Sequence, residues 1–327
     1  MKRILSIVFL AFIVVACTSK ATENVKLQGP VFGTDFSILY YAEDSANYIE
    51  AIDSLFQVVN MSLSTYIPES RLSQINRNET TAVDEHFKKV LKASKEVYRF
   101  SEGVFDPTIG NVVNAWNFGA DENKFVIDST TIDSLMQYVG LNRVGIVGDN
   151  LKKPKETYIE FNAIAKGYGV DVVCEFLESK GIDNYLVTIG GDMRVSGINK
   201  EKGQPWLIGI DDPNFDGTQT YSKTITLKDE AMATSGTYRK FKVDENGQRY
   251  AHIINTKTGY PTKTNVLSVS VIAKDCMTAD AYATTFQAMG VEKVKSFLVN
   301  HPELKAYFIY LNANNELDFI GLNGFPE

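Results

Sequence analysis

The stretch from Glu160 to Asp171 constrains the fold of this chain more than any other. It reads Glu-Phe-Asn-Ala-Ile-Ala-Lys-Gly-Tyr-Gly-Val-Asp, with Lys166, Gly167 and Gly169 directly before a predicted helix. This order predicts a strand that ends at the acidic residue, followed by a tight turn into the helix. Helix N-terminal amides and a lysine both favour a phosphate, so the turn is a candidate anion site. The spacing of these glycines fits neither a Walker loop nor a dinucleotide-binding fingerprint.

The remaining pattern predicts an α+β fold. Helices are predicted over residues 45–63, 84–103, 112–116, 129–139, 170–181, 278–289 and 291–300, strands over 36–41, 185–189, 193–197, 206–210, 224–227, 266–273 and 306–311, and tight turns at 33–34, 190–192 and 234–236. Strands often follow strands directly, which favours a mixed sheet with packed helices over a doubly wound parallel sheet. With no Pro/Ser-rich linker and no repeat, we expect a single compact catalytic unit.

Residues 1–16 have the features of a bacterial lipoprotein signal peptide. A basic start precedes an apolar run over 4–15 that is short for a membrane span, and the run ends in Val-Val-Ala before Cys17. We therefore expect cleavage before Cys17, lipid on that cysteine, a polar tether over 17–27 and a folded domain over 28–327. An ordinary secretory peptide with an incidental cysteine is the alternative.

Charge and cysteine usage narrow the range of partners. The formal net charge is -7, from 33 basic and 40 acidic residues, and there is no basic run, so nucleic acid is not an expected partner. A polyanionic ligand would need a local cation or a metal. Cys174 and Cys276 lack Cys-x-x-Cys spacing and are expected to be small core residues, with a bond between them as an open alternative.

Asp280 and Thr284 form a candidate cation site. They are four residues apart on a predicted helix and share one face, and a carboxylate with a hydroxyl suits Mg2+. The carbonyl of Ala163 would complete the shell, and Lys166 would neutralise a phosphate. In the structural alternative, Asp280 caps its own helix near Thr278, Thr284 bonds back to its own helix, and Lys166 is a solvated surface lysine.

Aromatic residues beside polar turns are candidates for holding a flat ring system. Tyr66 follows the first long helix, and Trp116 and Phe118 flank Asn117. Each ring taken alone is more often a core residue. His252 is the candidate acid/base group, with a structural histidine as an equal alternative. The chain has no Gly-x-Ser-x-Gly and no His-Glu-x-x-His, so hydrolase and metalloprotease functions have no support.

Segments along nearly all of the expected mature chain resemble the ApbE family, the FAD:protein FMN transferases, in the family's order. They are Phe32–Thr34, Ser64–Tyr66, Phe105–Gly110, Trp116–Gly119, Ala163–Tyr168 with Asp171, Gly190–Gly191, Ala233–Gly236, His252–Ile254 with Thr258–Gly259, and Ala279–Ala281 with Thr284. The resemblance implies a core related to the T-fold, with FAD and Mg2+ as ligands. Ala163, Asp280 and Thr284 would hold the metal. The implied FAD-lining residues are Phe32, Tyr66, Trp116, Asn117, Phe118, Glu160, Lys166 and Ile254.

The activity implied by the resemblance is Mg2+-dependent transfer of FMN from FAD to a threonine or serine of an exported redox protein, such as a subunit of a membrane redox complex, with release of AMP. The enzyme would be lipid-anchored on the periplasmic side of a bacterial membrane. Its expected catalytic residues are Asp280, Lys166 and His252.

Four positions depart from the family's usual pattern. Methionine is usual at Phe32, aspartate at Glu160, Asp-Pro at Asn255 and its neighbour, and asparagine is frequent at Asp192. The changes at Asn255 and Asp192 keep an alternative open, an FAD-binding or scavenging lipoprotein with little transfer activity. A second alternative is an FAD pyrophosphatase that gives FMN and AMP, because water in place of a protein hydroxyl needs the same metal.

Overall fold

The computed structural model describes residues 22–43, 45–121, 128–213, 220–237, 241–243 and 249–327. The helices are α1 (Ile49–Leu63), α2 (Arg71–Asn76), α3 (Glu85–Phe100), α4 (Gly110–Ala115), α5 (Ser129–Met136), α6 (Ala165–Ser179), α7 (Cys276–Met289) and α8 (Val291–Leu298). The strands are β1 (Thr22–Val31), β2 (Thr34–Glu43), β3 (Gly145–Val147), β4 (Asn150–Lys152), β5 (Tyr185–Ile189), β6 (Asp192–Ser196), β7 (Trp206–Asp211), β8 (Tyr221–Leu227), β9 (Ala231–Gly236), β10 (Phe241–Val243), β11 (Arg249–Ala251), β12 (Val266–Ala273), β13 (Lys305–Leu311) and β14 (Leu317–Leu322). The predicted signal peptide and Cys17 lie outside the described residues.

An eight-stranded sheet in the order β1-β2-β5-β6-β9-β12-β13-β14 forms the centre of the molecule. Each neighbouring pair in it runs antiparallel. Three further two-stranded sheets pair β3 with β4, β7 with β8, and β10 with β11. Helices that are packed on an antiparallel sheet confirm the predicted α+β class.

The sheet is covered differently on its two faces. On one face, α6 packs Val173 and Leu177 against Ile38 and Val187 of the sheet, and α7 lies beside α6. On the other face, the β7–β8 sheet covers residues such as Met232. Strands β7 and β8 therefore do not continue the central sheet, and their alternating apolar residues make a separate layer.

Two further predictions need correction because strand pairing overrides local composition. Residues 234–236, predicted as a tight turn, belong to β9, which pairs with β12 over its whole length. There the hydroxyls of Thr234 and Ser270 hydrogen-bond across the two strands at 2.7 Å. Thr and Ser are common in turns, but here a neighbouring strand satisfies both hydroxyl and backbone.

The expected tether over 17–27 is too long. Strand β1 begins at Thr22 and pairs with β2 along its full length. Val25 and Leu27 are buried in the same core cluster as the residues beneath α6, so residues 22–27 belong to the folded domain. Polar residues alternate with these two apolar ones, which is the pattern of a half-buried edge strand and not of a linker.

The two cysteines and the cap of α3 agree with the predictions made for them. Cys174 and Cys276 are both buried and unbonded to each other, which confirms them as core residues. Asp84 caps α3 as predicted, since its carboxylate accepts from the amide of Phe87 at 2.8 Å. Across the ranges that the structure describes, the helices are too short or too polar for any of them to span a bilayer.

Candidate active site

A half-buried lysine between two buried carboxylates lies where α6, α7 and β6 meet. Lys166, in the first turn of α6, contacts Oδ2 of Asp192 at the start of β6, and its Nζ is 3.6 Å from Oδ1 of Asp280 on α7. Asp192 is only 1 % exposed and Asp280 5 %. We call these three residues the site cluster. They bring together two predicted catalytic residues, Lys166 and Asp280, with a third that sequence reasoning named only as a departure.

The site cluster has more negative than positive charge when all three groups are ionised. Burial by itself would lower the pKa of Lys166, but the two carboxylates outweigh burial and raise it, so the lysine stays cationic. Burial raises the pKa of Asp192, with a further contribution from Asp280 and against the opposing effect of Lys166. One ammonium cannot neutralise two carboxylates, so the cluster favours a second cation.

The two glycines of the central stretch serve helix packing. Both lie inside α6, whereas the sequence placed them in a turn before the helix. A Cβ on Gly167 would lie 2.2 Å from the carbonyl oxygen of Cys276, so only glycine lets α7 approach this closely. The Gly167 amide donates to Asp280 Oδ2 at 3.0 Å. The close approach therefore sets the distance between the helix that carries Lys166 and the helix that carries Asp280.

Phe32 lies against the same helix from the sheet side. It sits at the β1–β2 turn with φ 49°, a conformation that is unusual for a bulky residue. A Cβ on Gly169 would be 2.5 Å from its ring, and its ring centroid is 5.6 Å from that of Phe56. Packing on both sides thus holds the ring at the start of α6, next to the site cluster.

The structural alternatives for Asp280 and its helix are wrong. Asp275, and not Asp280, caps α7, since its carboxylate accepts from the Thr278 amide at 2.8 Å. The residue that bonds back to its own helix is Thr285, whose hydroxyl donates to the Ala281 carbonyl at 2.7 Å. Thr284 is half-buried and lies one helical turn after Asp280.

Ala163 lies two residues before α6, next to the N-cap residue Ile164. The Gly167 amide is one of the first amides of the helix, which have no acceptor within it, and it donates to Asp280. Within the described ranges, no group of three or more His, Cys, Asp or Glu side chains could hold a metal ion. A metal at this position would rely on one carboxylate plus hydroxyl and carbonyl oxygens.

Several predicted ring-binding residues lie together around α4. Trp116 and Phe118 pack on a cluster that contains Ile254. The Trp116 indole donates to the carbonyl of Gly259 at 2.8 Å, and its ring centroid is 5.9 Å from that of Tyr260. We call Trp116, Phe118, Ile254 and Tyr260 the aromatic wall. Residues far apart in the chain thus form one surface of the kind that holds a flat ring.

Asn117 follows the end of α4 and lies between Trp116 and Phe118, the two residues of the wall that come from this segment. Its φ of 55° is in the left-handed region that asparagine tolerates better than most residues. The amide of Asn117 donates to the Asn114 carbonyl at 2.8 Å, and that of Phe118 to the Val113 carbonyl at 3.0 Å. The chain therefore reverses between Trp116 and Phe118, which places both side chains on the wall.

Glu160 and Tyr66 form a further part of the site. Glu160 is half-buried and accepts a hydrogen bond from the side chain of Asn162. Burial raises the pKa of Glu160 to about 7. The Tyr66 side chain is 60 % exposed, and partial burial and the charge of Glu160 raise the pKa of its hydroxyl. The ring of Tyr66 is thus accessible to a ligand beside a carboxyl group that is partly protonated near neutral pH.

The prediction that Glu160 ends a strand is wrong, because only an isolated parallel bridge joins Tyr158 to Ile109. The segment is fixed in other ways. The Asn76 side chain bonds to both the amide and the carbonyl of Ile159, at 2.9 and 2.8 Å, and the Glu160 amide donates to the Pro107 carbonyl at 2.8 Å. Residues 158–164 therefore connect the surroundings of α4 to the start of α6.

His252 is half-buried, two residues before Ile254 of the aromatic wall. The segment that follows it folds around Asn255, whose side-chain oxygen accepts from the amides of Lys257 and Thr258 at 2.9 and 3.1 Å. An aspartate would accept the same two bonds. The departure at Asn255 therefore preserves the turn, although it removes a charge.

Sequence reasoning missed Asp192 as a member of the site. Its position directly after Gly190-Gly191, at the start of a strand, was the available signal, because a carboxylate that becomes buried there needs a partner. Asp171, discussed below, was noticed only as a part of the family motif.

Comparison with known proteins agrees with this fold and site. A model of the ApbE family matches residues 32–308. Two relatives named FAD:protein FMN transferase are 38% identical over 86% of this chain (Vibrio cholerae) and 34% identical over 90% (Haemophilus influenzae), which is 86% and 89% of their own lengths. The solved structure of flavin transferase ApbE from Vibrio cholerae covers 92% of this chain and 97% of its own with a TM-score of 0.82 at 35% identity. Apo flavinyl transferase ApbE from Pseudomonas stutzeri covers 92% and 95%, with a TM-score of 0.80 at 25% identity.

The chain therefore has the α+β fold of the flavin transferases. It belongs to the ApbE family, as the resemblance predicted.

Proposed function

We propose that this chain transfers FMN from FAD to a hydroxyl group of a partner protein and releases AMP. The observation that carries the proposal is the site cluster, in which Lys166 is held between Asp192 and Asp280 at the N-terminus of α6. A cation beside helix N-terminal amides suits a pyrophosphate. Support also comes from membership of a family whose matched relatives are named FAD:protein FMN transferases.

The reaction is a substitution at phosphorus. The hydroxyl oxygen of a threonine or serine in the acceptor forms a bond to the phosphorus on the FMN side of FAD. The bond from that phosphorus to the bridging oxygen breaks, and AMP leaves with that oxygen. Lys166 stabilises the charge that grows on the pyrophosphate, and His252 accepts the proton from the attacking hydroxyl. The protein's main task is positioning and charge neutralisation, as in phosphoryl transfer generally.

The residues around the site cluster fit Mg2+. Asp280, Thr284 and the carbonyl of Ala163 offer only oxygen donors, the type that Mg2+ prefers. The uncompensated negative charge of the cluster supports this assignment. When bound, the metal would supply further charge neutralisation on the pyrophosphate.

The rest of FAD is assigned to the exposed rings. The aromatic wall, with Tyr66 and Phe32, would hold the flat parts of the ligand by stacking and apolar contact. Asn117 and Glu160 supply the polar edges of this surface, and Ile254 is part of the wall itself. Glu160 is better suited than an ionised carboxylate to lie beside an electron-rich ring, because its raised pKa keeps part of it protonated.

The test is AMP release from FAD by the purified protein, with and without Mg2+ and with and without an exported acceptor. We expect Mg2+-dependent AMP together with flavin fluorescence that stays on the acceptor in a denaturing gel. AMP with an unlabelled acceptor would identify a pyrophosphatase instead. Tight FAD binding with no AMP under either metal condition would identify a flavin-binding carrier.

The two departures that motivated the carrier alternative do not damage the site. Asp192 pairs with Lys166, and Asn255 retains the hydrogen bonds of its turn. Neither change removes a group that holds FAD or the metal in this proposal. The transferase is therefore the better supported function.

The location of the enzyme is also a proposal. We infer a lipid anchor at Cys17 on the periplasmic side of a bacterial membrane, with an exported redox protein as the acceptor. Labelling with a radioactive fatty acid tests this, because Cys17→Ala should lose the label and leave the membrane fraction. Retention of label by Cys17→Ala would contradict it.

A further inference from the structure

A second buried polar cluster lies next to the site cluster and joins the same three elements. It consists of Arg194 on β6, Asp171 on α6, and the backbone amides of Cys276 and Met277 at the start of α7; we call it the support cluster. Asp171 Oδ1 accepts from the Cys276 amide at 3.0 Å, and its Oδ2 accepts from the Met277 amide at 2.8 Å. Arg194 Nη1 lies 3.3 Å from Asp171 Oδ1. Asp171 is only 3 % exposed.

The two helices cap each other. Helix α6 has no side-chain cap of its own, and Asp280 of α7 takes its Gly167 amide. In α7, the local cap Asp275 takes only the Thr278 amide, and Asp171 of α6 takes the two amides before it. The first helical amides of α7 are thus satisfied from another helix, which is an unusual solution to the capping requirement.

Asp171 is itself fixed from the sheet. Arg194 also donates through Nη2 to Glu178 Oε1 at 2.8 Å, and the Tyr185 hydroxyl donates to that oxygen at 2.5 Å. Asp192 and Arg194 are two residues apart on β6, so their side chains lie on the same face of the strand. One strand therefore holds Lys166 through Asp192 and Asp171 through Arg194, and both of these partners are on α6.

These contacts link the start of α7 to the position of Asp280. Cys276 and Asp280 are four residues apart, about one helical turn. A shift of the first turn of α7 would therefore move Asp280 relative to Lys166. Gly167 allows the close approach of the two helices. It has no side chain that could bond to the first turn of α7, so it does not fix the rotation of α7 about its axis. The carboxylate of Asp171, with one oxygen on each of two successive amides, does set it.

We propose that Asp171, held by Arg194, is a positioning residue that fixes α7 against α6 and so places Asp280 and Thr284 for the cation. It does not touch FAD or the metal. The inference rests on the proposed function for its effect on turnover, but its effect on cation binding can be measured without FAD.

The test compares Asp171→Asn with Asp106→Asn. Asparagine keeps the size of the side chain but presents only one acceptor oxygen, so one amide of α7 loses its partner. Asp106 is a matched control: it is also buried, and it accepts from the amide and hydroxyl of Thr108 at 2.9 and 2.6 Å and from the Leu141 amide at 3.2 Å. It belongs to neither α6 nor α7. Both variants should lower Tm.

Three measurements separate positioning from simple destabilisation. At a temperature where circular dichroism shows a folded protein, we expect Asp171→Asn to bind Mn2+ at least about tenfold more weakly by electron paramagnetic resonance. Its kcat for AMP release should fall by a similar factor, while the KM for FAD changes by less than about threefold. Hydrogen exchange should accelerate in the peptide that covers the start of α7. Asp106→Asn should leave all three unchanged.

Mn2+ affinity and exchange at α7 equal to those of the wild type in Asp171→Asn would overturn the inference. Arg194→Lys is the second variant, for the case in which Asp171→Asn does not fold. It retains a cation but cannot bridge Asp171 and Glu178 with a planar fork, so a smaller loss in the same direction is expected. Wild-type Mn2+ affinity in a folded Arg194→Lys would equally overturn it.

Failure of the proposed function would look different. A wild-type protein that binds Mn2+ but releases no AMP would remove the transferase and leave the positioning role testable by metal binding and hydrogen exchange.

Discussion

The site cluster and the aromatic wall are built on opposite principles. The site cluster is charged and its two carboxylates are buried, and polar contacts among α6, α7 and β6 fix its distances. The wall has no charged member, its Tyr260 is exposed, and an indole bond to a carbonyl joins its two segments. Charge neutralisation depends steeply on distance and dielectric, whereas stacking tolerates small shifts. Changes in the cluster should therefore affect turnover, and changes around the wall should affect affinity.

The largest expected effect is that of Asp280→Asn. Asparagine can still accept from the Gly167 amide, so the packing of the helices is preserved while the charge is lost. We expect turnover to fall about a thousandfold, or about 4 kcal/mol in the activation free energy, with FAD affinity nearly unchanged. AMP release and fluorescence titration with FAD measure the two quantities. Turnover within about threefold of the wild type would mean that Asp280 is not a metal ligand.

Lys166→Met should act on stability as well as on turnover. It leaves Asp192 and Asp280 buried together without a cation, and we expect a loss of about 2–3 kcal/mol in the free energy of unfolding, since the lysine is partly exposed. The double variant Lys166→Met, Asp192→Asn should recover most of that stability but none of the turnover. Urea unfolding and AMP release test this. Recovery of turnover in the double variant would show that Lys166 serves only to neutralise Asp192.

Tyr66→Ala should weaken FAD binding about tenfold, which is about 1.4 kcal/mol, and leave kcat at saturating FAD within about threefold. The loss reflects one stacking contact. Tyr221→Ala is the matched control, because Tyr221 is 62 % exposed and Tyr66 60 %, but Tyr221 lies on β8 of the separate β7–β8 layer. Equal affinities of both variants and the wild type in a fluorescence titration would remove Tyr66 from the FAD site.

The smallest effect should come from Glu160→Gln in the absence of FAD. The folded-state pKa of Glu160, about 7, lies above its ordinary value, so the folded protein favours the protonated form. Its contribution to stability is complete at low pH and is lost as the pH rises toward 7. Glutamine escapes this loss. Because Glu160 is half-exposed, we expect about 1 kcal/mol, or a gain of about 2–4 °C in Tm relative to the wild type at about pH 8 that is absent at about pH 5. An equal Tm difference at both values of pH would contradict this.

How well the sequence predicts a structural feature depends on how far apart in the chain the interacting residues lie. Local signals predicted the Asp84 cap, the helical stripe of α6 and the strand over 185–189, because each depends on residues within a few positions. The pairing of Asp192 with Lys166 and the capping of α7 by Asp171 were not predictable in this way. Both join residues that are distant in sequence, and their geometry depends on how the sheet arranges its strands.

Local composition gave wrong predictions for two segments whose structure depends on pairing with a neighbouring strand. The Thr-Ser-Gly end of β9 resembles a turn, and the polar residues of β1 resemble a linker, but each has a neighbouring strand that satisfies its backbone. Local pattern suggested the cation site, through the spacing of Asp280 and Thr284, and the rings of Tyr66, Trp116 and Phe118. Only the family resemblance assigned Phe32, Asn117 and Glu160 to FAD, because no local pattern marks these positions.

The early start of β1 has a consequence for where the chemistry takes place. Thr22 is only five positions after Cys17. A fully extended chain covers at most about 3.3–3.6 Å per residue, so a lipid on Cys17 would keep the first strand within about 18 Å of the bilayer. With so short a reach, the enzyme would work against the membrane surface. An acceptor embedded in the same membrane would meet it by diffusion in two dimensions, and a soluble acceptor would have to approach the lipid.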